Sequence, residues 1–492
     1  MAVSNPQPST LPEVLRLHPP QAEALRFAGR AYTYGELDAM AMRCAAVAWH
    51  DWGVRPGDRV AWLGANHVLQ LALLFGLARI GAILLPLNFR LAPPEWQRLI
   101  SDCTPRHLVH DADWAQAASV LDLQLHSVDE LAQAAGREVP DHARPDAAAL
   151  LVYTSGTTGG PKAAVHTQAN LLANMAIAAR TQEMTPADSV LTVLPLFHVG
   201  GLCIQTLPAL LVGAPVLLHA RFHPGETLEA IARDRPTLTL QVPATMQALI
   251  AHPRWSETEL GCLRAVWAGS SLLPAPLVQA FHARGVPVCN VYGATETGPF
   301  SIALPPAQAF DHVGSCGWPA AMVQARLGAQ YGDAAELLVR GPNVVARYWP
   351  DLPACDAEGW FATGDLAQQA ADGSYSIVGR AKDLIISGGE NIHPTEIEQV
   401  LAAHPAVAEC AAFGLPDERW GELVAVAVVL RSAAEEAELT AYLAGRLARF
   451  KLPRRWVWME ALPKTALGKV QRGVLAEQAA VPASPRPTKS GG

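Results

Sequence analysis

One arrangement recurs through the middle of the chain and limits the folds open to it. A short apolar run ends in small or polar residues, and a helical segment follows. Residues 150–153 run into Thr154-Ser155-Gly156, and 190–194 run into Pro195-Leu196-Phe197-His198. Residues 238–242, 263–268 and 286–291 end near Pro243, Gly269-Ser270-Ser271 and Tyr292-Gly293. Strands alternating with helices predict a mainly parallel α/β sheet flanked by helices. In open sheets of that kind ligands bind beyond the carboxyl ends of the strands. Every motif of this stretch falls at such an end, so a single shared site is predicted.

The format changes after Gly379-Arg380. A strand over 383–387, a Gly388-Gly389 turn and an extended piece to Pro394 lead into a helix predicted to open at Thr395, because Thr395 and Glu398 have capping-box spacing. Strands near 407–413 and 423–430, a helix over about 434–450 and a strand at 456–459 complete a small α+β domain. The organisation expected is a large N-terminal α/β domain over 1–379, a junction at 380–382, a small α+β C-terminal domain over 383–480, and a Pro/Ser/Gly-rich disordered tail over 481–492.

Composition excludes several classes. A chain of 492 residues that is half hydrophobic can bury ample core without disulfide or metal staples. Its net charge of −8 gives no global field that would attract nucleic acid or an anionic membrane. The eight cysteines are scattered without a CxxC pair, which argues against a disulfide framework and a thiolate zinc site. The start, MAVSNPQPST, lacks the basic and apolar regions of a secretion signal, so a cytoplasmic enzyme is expected. The most apolar stretch, 69–87, contains Gln70, Arg79, Gly81 and Pro86, and is predicted to be a buried helix followed by a buried strand, with no integral membrane segment.

The strongest chemical signal is YTSGTTGGPK at 153–162. Glycines let backbone N–H groups converge on phosphate oxygens, hydroxyls add donors, and Lys162 adds charge. Pro161 before the lysine and Ala163 after it rule out the Walker pattern, so this is a phosphate loop of another kind.

That loop resembles the phosphate loop of the AMP-forming adenylating enzymes, which include acyl- and aryl-CoA synthetases, peptide-synthetase adenylation domains and firefly luciferase. The resemblance continues in register through LPLFHVGG (194–201), AGSS (268–271), VYGATETG (291–298), GWFATGDL (359–366), GRAKDLIISGGENIHPTEIE (379–398) and PKTALGK (463–469). It covers about 150–472, and the first 150 residues match only loosely.

The resemblance implies roles for individual residues. Thr154, Ser155, Gly156, Thr157, Thr158, Gly159 and Lys162 would hold the β- and γ-phosphates of ATP. Glu296 would bind Mg2+, and Thr295 would touch the α-phosphate. Tyr292 and Gly293 would meet the adenine, with Gly269, Ser270 and Ser271 lining the base. Asp365 and Arg380 would hold the ribose. Lys469 would bridge the reacting carboxylate and the α-phosphate, and Lys382 would be the pivot of a mobile C-terminal domain. Gly388, Gly389 and Glu390 would approach the pantetheine arm of coenzyme A. His198 would gate the region between acyl pocket and thiol channel, with Val199, Gly200, Val242, Thr245 and Ala294 in the acyl pocket.

The activity implied is an AMP-forming acid–CoA ligase. A small-molecule carboxylic acid, ATP and CoA would give acyl-CoA, AMP and diphosphate through acyl-AMP. The GENIHPTEIE segment most resembles ligases for aromatic and fatty acids. The readings left open are loading of a carrier-protein phosphopantetheine, a succinylbenzoate-type CoA ligase, and a catalytically decayed nucleotide-binding protein. Members of the family are often homodimers, and the sequence does not fix the oligomeric state.

Overall fold

The computed structural model describes residues 8–133, 135–154, 161–269, 273–387, 390–417, 419–465 and 468–480. Packing divides them into two units, one made of residues up to 273 with 277–325 and 339–361, the other of 274–276, 326–338 and 362 onward.

The first unit is built on two large sheets. The nine-stranded sheet has the order Trp318–Pro319, Ile302–Ala303, Val288–Tyr292, Ala265–Gly269, Leu238–Gln241, Val190–Thr192, Val216–Leu218, Glu23–Phe27, Arg30–Thr33. From Val288–Tyr292 to Glu23–Phe27 every neighbouring pair is parallel, as the strand–helix alternation predicts. The outer strands at both edges are antiparallel.

The eight-stranded sheet has the order Leu352–Pro353, Arg347–Tyr348, Lys162–Thr167, Ala148–Thr154, Ile83–Pro86, Arg59–Leu63, His107–His110, Gln124–Ser127. The first 150 residues supply four of its strands. One expectation is corrected here. Ala148–Thr154 does not feed a helix within the nine-stranded sheet. It lies in the eight-stranded sheet and returns as the antiparallel strand Lys162–Thr167. The reason is local: KAAVHT is a further apolar run that stays extended. The helix Gln168–Thr181 starts only where the Thr167 hydroxyl accepts from the Asn170 N–H at 3.1 Å.

The apolar stretch forms the helix Val68–Arg79, buried at every position, and the strand Ile83–Pro86. Gly76 lets that helix meet Tyr34–Ala46 closely, since a Cβ there would lie 2.4 Å from the Ala41 carbonyl oxygen. No helix among the described residues is long and apolar enough to cross a membrane.

The second unit holds a four-stranded sheet ending in the antiparallel pair Phe361–Gln369 and Tyr375–Arg380. It also holds a five-stranded sheet centred on Gly421–Leu430 and Val407–Asp417. Strand alternation sends Val424, Val426 and Val428 to one face, where Ile397, Leu401, Leu439 and Leu443 cover them. Ala425 and Ala427 face the other way, against Leu475 and Ala479 of the helix Arg472–Ala480.

Two helix boundaries differ from expectation. The first helix starts at Pro394 with His393 as N-cap, because proline at the first position is already set for the helix. Thr395 instead donates to the Val378 carbonyl, and Glu398 accepts from the Ala412 N–H at 2.8 Å. The helix expected over 434–450 spans Glu436–Ala444 and stops at Gly445.

Candidate active site

Four neighbouring parallel strands end side by side in the nine-stranded sheet, and their ends carry the motifs. Val288–Tyr292 delivers Tyr292 and Gly293, Ala265–Gly269 delivers Gly269, Leu238–Gln241 leads into Val242, and Val190–Thr192 leads toward His198. Gly269 sits opposite Val291, and neighbouring strands lie about 4.8 Å apart, so these ends form one edge. The backbone is too close here for side chains. A Cβ on Gly269 would lie 2.6 Å from the Val291 oxygen, and one on Gly293 only 1.6 Å from the Pro299 oxygen. Gly293→Ala is therefore expected to force the backbone apart and lower stability by about 1–3 kcal/mol or more. Gly261→Ala, where a Cβ meets nothing within 4 Å, is the control that should change stability little. Denaturation midpoints of the two variants decide between them.

His198 heads the short helix Val199–Gly201 and accepts the Gly200 N–H at its Nδ1, 3.0 Å away. A neutral ring then carries its proton on Nε2. The turn before it is held from a distance: Asn66, buried in the first unit, accepts the Leu196 N–H at 2.7 Å and donates to the carbonyls of Leu194 and His219 at 3.0 Å each. Val199 is buried, and Gly200 meets the His198 ring at its Nδ1 edge, where an added Cβ would lie 3.0 Å away. Val242 is half-buried, and its backbone N–H is accepted by the Thr245 hydroxyl at 2.9 Å, so Thr245 serves its own helix start.

Glu296 lies on the tight turn Thr295–Thr297, whose geometry is closed by the Thr297 hydroxyl accepting the Ala294 N–H at 2.9 Å. Although carboxylates are rarely buried unless paired, Glu296 is only 9% exposed. Its Oε1 accepts the Tyr348 hydroxyl at 2.9 Å. Burial first, and then the Glu296 charge, push the Tyr348 phenol well above its ordinary value, so it remains a donor. The Lys162 ammonium lies over the same tyrosine ring, 5.4 Å from its centre. Pairing of Tyr348 with Ala164 across Arg347–Tyr348 and Lys162–Thr167 fixes this, and Thr154 faces Lys162 across the hairpin. The buried Asn343 steadies the Glu296 turn by donating to the carbonyls of Thr297 at 2.6 Å and Phe300 at 2.9 Å. One oriented carboxylate on a buried turn could hold Mg2+, which takes one or two carboxylates and completes its shell with phosphate and water.

The second unit carries the remaining predicted residues. Asp365 and Arg380 sit opposite each other in their antiparallel pair, joined by an ion pair of 2.7 Å. Lys382 lies in the single turn Ala381–Asp383. Asp383 is held by Arg472 at 3.3 Å, and Arg472 also pairs with Glu398 at 2.7 Å, clamping turn, helix and strand together. Glu390 opens the strand Glu390–Ile392 and is exposed. Lys469 is exposed on a hairpin closed by the Lys464–Val470 bridge and by the Thr465 N–H donating to the Lys469 carbonyl at 2.7 Å. Gly468, with φ +81°, makes that reversal possible. Ser155, Gly156, Thr157, Thr158, Gly159, Ser270, Ser271, Gly388, Gly389 and the tail 481–492 lie outside the described residues.

Three residues of this architecture escape sequence reading: Tyr348, Asn66 and Arg472. The first had a faint signal in the aromatic run RYW at 347–349, Arg472 stands three residues past PKTALGK, and Asn66 stands in a segment with no motif.

Comparison with known proteins agrees with this geometry. The chain matches the AMP-binding enzyme model over residues 13–349 and the AMP-binding enzyme C-terminal domain over 396–469. It is 41% identical to an indoleacetate–CoA ligase of Aromatoleum aromaticum, covering 92% of this chain and 94% of that one. It is 39% identical to a feruloyl-CoA synthase of an Amycolatopsis species, covering 92% and 95%. Among solved structures, o-succinylbenzoate CoA synthetase from Bacillus subtilis in complex with its acyl-adenylate intermediate superposes with a TM-score of 0.88 at 31% identity, over 95% of this chain and 98% of that one. The same synthetase is also known with ATP and magnesium ion. With both family models matched in order, and with Lys162, the buried Glu296 and the strand-end row falling within the longer match, the chain belongs to the AMP-binding enzyme family.

Proposed function

We propose that this chain is an AMP-forming acid–CoA ligase acting on an aromatic or fatty carboxylic acid. The observation that carries the reading is that Tyr348 touches both Lys162, which lies over its ring, and Glu296, which accepts its hydroxyl, as a phosphate-binding lysine and a metal-binding carboxylate serving one ATP would require. The names of its relatives, CoA ligases for aromatic acids, support the acid class and the thiol.

A carboxylate is a poor electrophile. Its oxygen attacks the α-phosphorus of ATP, an O–P bond forms, and the bond to pyrophosphate breaks. The thiol sulfur of CoA then attacks the acyl carbon, the thiol proton leaves to solvent, and AMP departs with the C–O bond electrons. Thr154, Lys162 and the loop between them hold the departing phosphates. Thr295 meets the α-phosphate, Tyr292 and Gly269 receive the adenine, and Asp365 and Arg380 hold the ribose. Lys469 neutralises the charge that gathers between carboxylate and phosphorus. Glu296 would hold Mg2+, which neutralises phosphate oxygens when bound. His198, fixed by its Nδ1 contact, walls the acyl end, and the Gly388-Gly389-Glu390 segment receives the pantetheine arm.

Hydroxylamine traps acyl-AMP as a hydroxamate, so a panel of aromatic and fatty acids with ATP and magnesium, with and without CoA, tests the reading. Hydroxamate and acyl-CoA are expected from at least one acid. Hydroxamate without acyl-CoA would point to a carrier protein as thiol donor, and no hydroxamate from any acid would refute ligase chemistry. Two half-reactions at one place call for rearrangement about Lys382. Lys382→Pro is expected to slow thioester formation from supplied acyl-AMP at least tenfold more than it slows adenylation, and equal losses would remove the hinge.

A further inference from the structure

Buried polar side chains in the first unit bear on which acid the site takes. Gln205 is 2% exposed on the helical segment that His198 heads, seven residues further on. It lines a small cavity of ≈ 10 Å3 together with Thr192, Leu194, Gly201 and Leu240. Thr192 and Leu240 lie at the ends of two of the strands that carry the motifs, and Gly201 directly follows Val199-Gly200 in the chain.

The orientation of the Gln205 amide follows from its neighbours. Gln182, also fully buried, donates its Nε2 to the Ile204 carbonyl at 2.7 Å, so its Oε1 is the atom left to accept. Gln205 must then present Nε2 to that oxygen, and does so at 2.9 Å. The Gln205 Oε1 is left as an acceptor with no partner among the described residues. Leaving such a group unmet is costly, whereas a donor placed against it recovers a hydrogen bond. A cavity of this size admits about one water-sized group, which is the size of a hydroxyl or a ring N–H. Seven residues of helix separate Gln205 from His198, roughly 10 Å along the axis, comparable with the length of an aromatic acid.

We infer that Gln205 is a specificity-determining residue whose Oε1 accepts a hydrogen bond from the distal end of the acyl substrate, and that the enzyme selects aromatic acids bearing a phenol O–H or ring N–H there. The inference rests on the ligase reading above and names the substrate class within it. The Thr192 hydroxyl donates to that of Thr206 at 2.9 Å, which donates in turn to the Gly201 carbonyl at 2.7 Å.

The test compares kcat/KM for matched acids: 4-hydroxycinnamate against 4-methylcinnamate, and indole-3-acetate against its N-methyl derivative. Wild-type enzyme is expected to favour the donor-bearing member by about ten- to a hundredfold. Gln205→Leu should bring the ratio within about threefold, chiefly by slowing the donor-bearing acid. A wild-type ratio near one overturns the inference and needs no variant, so a poorly folding Gln205→Leu protein does not shield it. An unchanged ratio in a folded Gln205→Leu enzyme overturns it too. If no acid of any kind yields hydroxamate, the ligase reading itself has failed, which is a separate result.

Discussion

Replacing Lys469 by alanine should cut acyl-AMP formation by about two to three orders of magnitude while leaving thioester formation from supplied acyl-AMP within a few fold of wild type. The scale is that of removing one preorganised charge or donor from a group whose negative charge grows in the transition state, about 3–4 kcal/mol. The split between half-reactions follows because the second step consumes a mixed anhydride already made, with no crowded phosphorus centre to neutralise. The hairpin supplies its own control. Lys464, five residues earlier, is held by Glu409 at 2.7 Å, so Lys464→Ala should perturb local packing and leave ATP–pyrophosphate exchange close to wild type. Exchange at the wild-type rate in Lys469→Ala would remove the residue from the mechanism. Equal damage from both substitutions would mark the hairpin as structural.

How far the sequence could be read depended on the range of the interaction. Strand ends such as Tyr292-Gly293 and Gly269 were legible because an apolar run followed by small residues is a local pattern, and their convergence follows from the rule for parallel sheets. The small domain was legible for the same reason, strand by strand. The strand ending at Thr154 was misplaced by topology, because the apolar run of residues 162–167 stays extended and pairs back on it where a helix was expected. Thr395 and Glu398 matched a capping box by spacing, yet proline at the first helical position moved the N-cap two residues earlier, to His393, and released both side chains for tertiary contacts. Tyr348 left only a faint trace, and Asn66 and Gln205 none, for another reason: each acts on a partner that is 52, 130 or 23 positions away. Only the folded chain makes those separations short.

The Tyr348 contact also sets the terms for the second large effect. Glu296→Gln keeps the volume and one acceptor but removes the charge, so magnesium should no longer be held at the phosphates. Adenylation is expected to fall about a hundredfold or more and to stay low however much magnesium is added. Tyr348→Phe tests the same site from behind. The ring that lies under Lys162 is retained, and only the 2.9 Å hydrogen bond to the carboxylate is lost. A partner that orients a metal-binding carboxylate contributes about 10–100-fold to metal affinity. Tyr348→Phe should therefore raise the magnesium concentration for half-maximal rate by about tenfold and recover most of its kcat at saturation. A purely structural tyrosine would lower kcat at every magnesium concentration and leave the half-saturation point unmoved. If the magnesium titrations of Tyr348→Phe and wild type coincide, Glu296 is held by its buried turn alone. If Glu296→Gln is rescued by excess magnesium, the ion is held by the substrate phosphates and not by this carboxylate.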